Sequence, residues 1–173
     1  MPAVRPLTVR WWDPVPPSPV AGGTLGEVAP SHVVDLRRAV LRDGRLDLPA
    51  AYPTDDEPSS LHLGVRSQDG PVVGCVTVLA DPLPGRASLH LVLMAVDPGW
   101  QGRGVGRALV GTVQDVASAA GLDVWAAART TALAFYGALG FRPLGDGFDG
   151  AMGLPHRRVL WHHRHATTGG VTR

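Results

Sequence analysis

Between residues 87 and 139 the chain reads strand, helix, strand, helix, and that order limits what can surround it. Residues 87–96 (ASLHLVLMAV) form a nearly continuous apolar run, the texture of a central strand covered on both faces. A helix follows from about Gly104, with Val105, Ala108, Leu109, Val113, Val116 and Ala120 along one stripe and Gly121 as its stop. Residues 124–128 make the next strand. Thr130 or Thr131 caps a short helix through Leu139, with Gly140 just past its end. Two strands joined through a helix lie parallel, because a hairpin cannot connect them.

The flanking segments ask for the opposite pairing. Residues 61–65 and 72–79 are short β-rich runs separated by Gln68-Asp69-Gly70, and residues 141–144 and 158–161 read as closing strands around a glycine-rich loop. One sheet must therefore hold both pairings, with helices on both faces: a mixed α/β fold in a single domain over residues 1–173. Residues 31–42 read as a helix with Ser31 at its N-cap, residues 1–30 as an irregular lead-in, and residues 162–173 as a frayed tail.

Composition removes several chemistries. All 16 basic residues are arginine, so no lysine is available for a Schiff base or a phosphate-binding P-loop. The single Cys75 excludes an internal disulfide and a cysteine-built zinc site, and suggests a reducing, cytoplasmic setting. A net charge of +1 is far from the basic excess of a nucleic-acid binder. No run reaches the roughly 18 apolar residues of a membrane span. The cluster His162-His163-Arg164-His165 reads as a solvated tail, with no metal expected, and Asp55-Asp56-Glu57 as a solvated loop.

The chemistry concentrates in Trp100-Gln101-Gly102-Arg103-Gly104-Val105-Gly106-Arg107. Three glycines in five residues permit close backbone approach and positive φ. The helix start supplies unpaired N–H groups and a partial positive charge, and Arg103 and Arg107 add full charges. This is a phosphate or diphosphate site. A dinucleotide fingerprint fails, since its last position falls on Arg107 or Leu109.

These residues resemble a known family. Gln101-Gly102-Arg103-Gly104-Val105-Gly106 fits the Q/R-x-x-G-x-G/A signature of the GNAT superfamily of acyl-CoA-dependent N-acetyltransferases. Met94-Ala95-Val96-Asp97-Pro98 is similar to its strand end, and Phe135-Tyr136-Gly137-Ala138-Leu139-Gly140-Phe141 to its "FY-x-x-x-GF" segment. Gly153-Leu154-Pro155-His156 resembles the "G-[IL]-P-H" tail of one group of small bacterial members. The resemblance is strong over residues 89–141, weaker from about 61 to 161, and not diagnostic in the first 60.

It implies six or seven mostly antiparallel strands, splayed between strands four and five, with acetyl-CoA in the splay. Backbone groups of Met94, Ala95 and Val96 would hold the pantetheine arm. N–H groups of Gly102, Arg103, Gly104, Val105, Gly106 and Arg107, beside Gln101, would hold the diphosphate. Many members carry Asn or Gln near the position of Arg129, against the cofactor arm, and this chain departs there. Tyr136 would face the leaving thiolate, and the N–H of Val96, or of a neighbour at a bulge in this strand, would serve the oxyanion. For the general base, His90 is the first candidate. His156, on the acceptor side, and His62 follow. His90 shares strand parity with Met94 and Val96 unless a bulge intervenes.

The implied activity is transfer of an acetyl group from acetyl-CoA to the primary amine of a small molecule or peptide, in a ternary complex. The partners are those two substrates, with no nucleic acid or membrane, and a homodimer stays open. A non-catalytic acyl-CoA-binding module of the same fold is the alternative, and a hydroxyl acceptor is a third reading.

Overall fold

A computed structural model describes residues 7–68 and 70–164. Eight strands, β1 (Ser18–Val20), β2 (Gly23–Glu27), β3 (Leu61–Ser67), β4 (Val72–Leu79), β5 (Ser88–Val96), β6 (Asp123–Arg129), β7 (Arg142–Asp149) and β8 (Pro155–Trp161), form one sheet. The spatial order is β1-β2-β3-β4-β5-β6-β8-β7. Every neighbouring pair is antiparallel except β5 and β6, which are joined through helix α2 (Val105–Ala120). This is the parallel crossover required by the strand–helix–strand order.

The N-terminal region departs from the expected irregular lead-in. Ala21 and Gly22 both take positive φ, which makes a two-residue hairpin turn and adds β1 to the edge of the sheet. Residues ahead of it converge on Glu27: Arg10 pairs with its carboxylate at 2.8 Å, and the Trp12 indole and the Val15 N–H also donate to it. The tail is likewise anchored as far as it is described. His162 Nδ1 and His163 Nδ1 meet the Asp123 carboxylate at 3.1 and 2.8 Å, and Arg86 joins them at 2.9 Å. His165 lies outside the described residues.

Helix α1 (Val34–Leu41) is shorter than expected, because Pro30–His32 forms a 3-10 turn, and Ser31 makes no capping hydrogen bond. The 3-10 turn Thr130–Ala132 leads into α3 (Leu133–Ala138), also without a side-chain cap. The glycine-rich stretch near 145–149, expected as loop, is strand: β7 extends to Asp149 and pairs with β8 across a bulge between Leu144 and Gly147. Its residues are exposed.

Apolar side chains pack on both faces of the sheet. The larger core joins Leu61, Leu63, Val76, Val78 and Leu89 to Val105, Leu109, Val113 and Ala117 of α2 and to Tyr136 of α3. On the other face, Val33 just before α1 and Leu36 within it meet Val72, Cys75 and Ala95. Gly74 sets how closely α2 approaches β4, since a Cβ there would overlap the Val105 side chain. Among the described residues no helix is long and apolar enough to cross a membrane.

Candidate active site

The β5–β6 register runs from Ser88↔Asp123 to Leu91↔Ala126 and stops. Beyond it β5 stays with β4 as far as Gly74↔Val96, while β6 follows β8 as far as Arg129↔His156. The two central strands diverge, and a cavity of about 420 Å³ opens between them. Its walls include His90, Met94, Arg129, Tyr136 and His156. The extra strand β1 makes the splay fall between the fifth and sixth strands rather than the fourth and fifth.

A bulge shapes the β5 wall. Thr77 opposes Val92 and Cys75 opposes Ala95, so Leu93 and Met94 together face Val76, and Leu93 takes φ 52°. The extra residue inverts the pleat. His90 therefore lies on the face of Thr77 and Cys75, toward α1, whereas Met94 and Val96 pack with the α2 core. The shared parity of His90 with Met94 and Val96 does not hold. All the same, His90 reaches the cavity, which passes between the strands. Asp97 N–H donates to Val73 O at 2.8 Å, toward β4. Alternation turns the Val96 N–H and C=O the other way, into the splay, where Gln101 Nε2 donates to Val96 O at 3.0 Å. Gln101 thus spends its side chain closing the turn, and Ala95 sits buried opposite Cys75.

After that turn, Gly102 and Gly104 take φ of 74° and 85°, and α2 begins at Val105. The first turn of a helix has no intrahelical acceptors for its N–H groups. Those of Val105, Gly106 and Arg107 point out of the helix start, while the Val105 side chain is buried in the core. Arg103 and Arg107 are exposed, and Arg103 lies over the Trp100 ring at 5.1 Å. A Cβ on Gly106 would stand 3.4 Å from the Phe135 ring, in ordinary contact, so α3 packs beside the start of α2. Phe135 and Phe141 hold Tyr136 edge to face, each with ring centroids 5.2 Å away. Burial pushes the Tyr136 hydroxyl up to about 12, so it stays protonated.

Three histidines face different fates. His62 is buried, with Nε2 at 2.8 Å from Asp55 O and Nδ1 at 2.8 Å from Thr77 Oγ1. A carbonyl only accepts, so Nε2 carries the proton and Nδ1 accepts from the Thr77 hydroxyl. Both nitrogens are committed, and burial holds the ring below the ordinary histidine value. In His156, Nδ1 donates to Leu154 O at 2.6 Å, which leaves Nε2 as the basic nitrogen. Gly150 makes room for this ring, since a Cβ there would overlap it. His90 is also held low, chiefly by burial, against the opposing pull of Asp81. Its Nδ1 meets Asp81 Oδ2 at 3.0 Å, and its ring stacks on Trp125 at 3.5 Å.

Asp81, Trp125, Arg42, Tyr52 and Phe148 are parts of this region that pattern reading did not single out. Asp81 reads as a turn residue, and Trp125 as one more apolar strand position. Asp55 reads as solvated but is buried: Arg37 Nη1 and Nη2 donate to its two oxygens at 2.6 and 3.1 Å. Among the described residues no three His, Cys, Asp or Glu side chains gather as a metal site would require.

Residues 59–143 match the family described as an acetyltransferase (GNAT) domain. No curated protein matches the chain. Among solved structures, the chain is similar to ElaA of Escherichia coli, with a TM-score of 0.67 and 16% identity over 81% of this chain and 99% of that one. An aminoglycoside 6'-N-acetyltransferase complexed with coenzyme A gives a TM-score of 0.65 and 14% identity, over 86% and 98%. The ribosomal-protein-S18-alanine N-acetyltransferase of Escherichia coli gives 0.62 and 20%, over 87% and 99%. At these identities the likeness is one of fold.

Proposed function

We propose that the chain, whose residues 59–143 match the GNAT acetyltransferase domain, is an N-acetyltransferase moving the acetyl group of acetyl-CoA to a primary amine of a small molecule or peptide, by direct attack in a ternary complex. The observation that carries this reading is the splay. It joins a strand edge with an outward N–H at Val96, a helix start behind two left-handed glycines, and a cavity lined by the protonated Tyr136 phenol and by two histidines with a basic nitrogen left over.

In this reading Val96 and Met94 offer their backbone to the pantetheine arm, and the N–H groups from Gly102 to Arg107 receive the diphosphate. Arg103 and Arg107 add charge at the rim, and Arg129 lies along the arm. The acceptor amine, with a reference pKa near 10.4 for a lysine-type amine, must lose a proton before it can attack. Nε2 of His90 takes that proton. The N–C bond forms as the C–S bond breaks, with the Val96 N–H on the carbonyl oxygen. The Tyr136 hydroxyl donates a hydrogen bond to the departing thiolate. Because its pKa is near 12, against about 8.5 for a thiol, it stabilises the thiolate without surrendering its proton. The thiolate instead takes up, through water, the second proton that the nitrogen sheds as the amide forms, and the His90 imidazolium returns its own proton to solvent. Positioning of the two substrates supplies much of the remaining acceleration.

Thiol release from acetyl-CoA, measured across a panel of amines and alcohols, tests this reading. Release with at least one amine, and formation of the amide, is the expected result. Binding of acetyl-CoA by calorimetry with no release across the panel would instead identify an acyl-CoA-binding module.

A further inference from the structure

We propose that Asp81 is a positioning residue for catalysis, fixing His90 in the tautomer whose Nε2 is the free base. The inference rests on the acetyltransferase reading above and adds to it the device that readies the base. Asp81 Oδ2 lies 3.0 Å from His90 Nδ1. A carboxylate accepts, so Nδ1 carries the proton and the lone pair stands on Nε2. Nε2 makes no hydrogen bond to the described residues, and the side chain borders the cavity. Trp125 completes the arrangement twice over. Its ring lies parallel to the imidazole, 9° from coplanar and 3.5 Å away, and its Nε1 donates to the Asp81 carbonyl at 2.8 Å. The same indole thus holds both the plane of the base and the backbone that carries its partner.

The turn bearing Asp81 is stiffened for this task. Pro82 confines the Asp81 backbone to extended conformations. Leu83 is buried against Trp125 and Leu160, and its N–H donates to Ser88 Oγ at 2.9 Å. Neither of the other two candidate bases has a comparable device: His62 has no nitrogen to spare, and His156 Nδ1 is held only by the neighbouring Leu154 carbonyl.

The charged and titratable groups around His90 are few. Asp81, from the turn after β4, raises its proton affinity, and Arg158, from β8, lowers it. Arg42, Tyr52, Arg129, Tyr136 and His156 line the same cavity. Removing the Asp81 charge should therefore move the His90 titration to lower pH. An Asn in place of the orienting carboxylate of a buried triad lowers kcat about 10⁴-fold. The Asp81 side chain is 60% exposed, so a loss of about 10-fold in kcat/KM is expected here.

The experiment joins nitrogen NMR of the histidine rings, which needs no turnover, to kinetics. At a pH above the His90 titration, the wild-type His90 should show a protonated Nδ1 and a bare Nε2. Asp81→Asn should give a mixture of tautomers, an imidazolium pKa shifted down, and an acid limb of kcat/KM shifted the same way. Trp125→Phe should fall between the two. In a His90→Gln background, Asp81→Asn should change kcat/KM by less than about twofold, since nothing remains to position. A wild-type ring protonated at Nε2, or a tautomer unmoved by Asp81→Asn, would overturn the inference whatever the enzyme does. So would an equal kinetic loss with and without His90. Failure to acetylate any amine, with the NMR as expected, would instead remove the acetyltransferase reading and the catalytic role with it, while leaving the placement of the ring standing.

Discussion

His62 and His90 sit on neighbouring parts of one sheet, the first buried and the second half-buried, and both are held below the ordinary histidine value, yet they belong to different kinds of region. Around His62 both ring nitrogens are matched. Arg37 grips Asp55 and gives a further hydrogen bond of 2.6 Å to Thr77 Oγ1, Thr77 donates to His62 Nδ1, and His62 Nε2 returns to Asp55 O. That circuit ties α1 and the segment before β3 to the sheet. Around His90 the matching stops one bond short, and the nitrogen left over borders a cavity. A depressed histidine is thus no mark of a catalytic group by itself. What distinguishes the site is an unspent lone pair beside open space.

The comparison breaks first if the closed circuit is not structural. Arg37→Met strands the Asp55 carboxylate, whose side chain is 5% exposed, and should cost about 3–5 kcal/mol in urea unfolding. The double variant Arg37→Met/Asp55→Leu should cost less than Arg37→Met alone, because the unpaired charge is gone. A single variant within ~1 kcal/mol of wild type would show that the circuit anchors nothing.

At the splay the converse should hold. Tyr136→Phe removes one hydrogen-bond donor to developing charge and is expected to lower kcat by about 100-fold, with KM for acetyl-CoA nearly unchanged and little loss of stability. A rate within twofold of wild type would return Tyr136 to a packing role. Gly74→Ala probes the scaffold between the two regions. Its Cβ would overlap Val105, so the start of α2 must shift, at about 1–3 kcal/mol and with weaker acetyl-CoA binding in calorimetry. Unchanged affinity would separate the helix start from the diphosphate site.

The smallest effect is one of pH. His62 and Asp55 both have folded-state values below their ordinary ones, the first chiefly because burial disfavours its charged form, the second because Arg37 and the Tyr52 N–H overcome the cost of burial. Groups depressed in the folded state bind protons more readily when the chain unfolds. Stability is therefore full above the unfolded values and falls on acidification, first below pH 6.5 through His62 and then below 3.8 through Asp55. For one proton the slope cannot exceed about 1.4 kcal/mol per pH unit. His62→Gln should reduce the slope in the first of these windows, to which His90 also contributes, in unfolding measured between pH 7 and 5. An unaltered slope would mean that His62 is not the titrating group.

The parts of the fold readable along the chain were those carried by local pattern. The apolar run of β5, the stripe from Val105 to Ala117 and the stop at Gly121 each reflect a period or a backbone freedom that neighbouring residues express by themselves. The hairpin of β1 and β2 was hidden because the strands are short and proline surrounds them. The length of β7 was hidden because glycines, read as loop, fit an exposed edge. Asp55 looked solvated because its partner, Arg37, lies 18 positions away and only folding brings the two together.

The sequence by itself determined the crossover, the glycine turn before α2 and the Phe135–Phe141 segment that carries Tyr136, since each depends on contiguous residues. Tertiary structure decided the rest. One inserted residue at Leu93 turned His90 to the opposite face from Met94, because a pleat has period two and a bulge shifts it by one. The pairing of His90 with Asp81 and Trp125 likewise depends on three separate segments meeting at the opening of the sheet. No spacing along the chain encodes which nitrogen of a histidine is left free. That is set by whichever acceptor the fold brings to the other one.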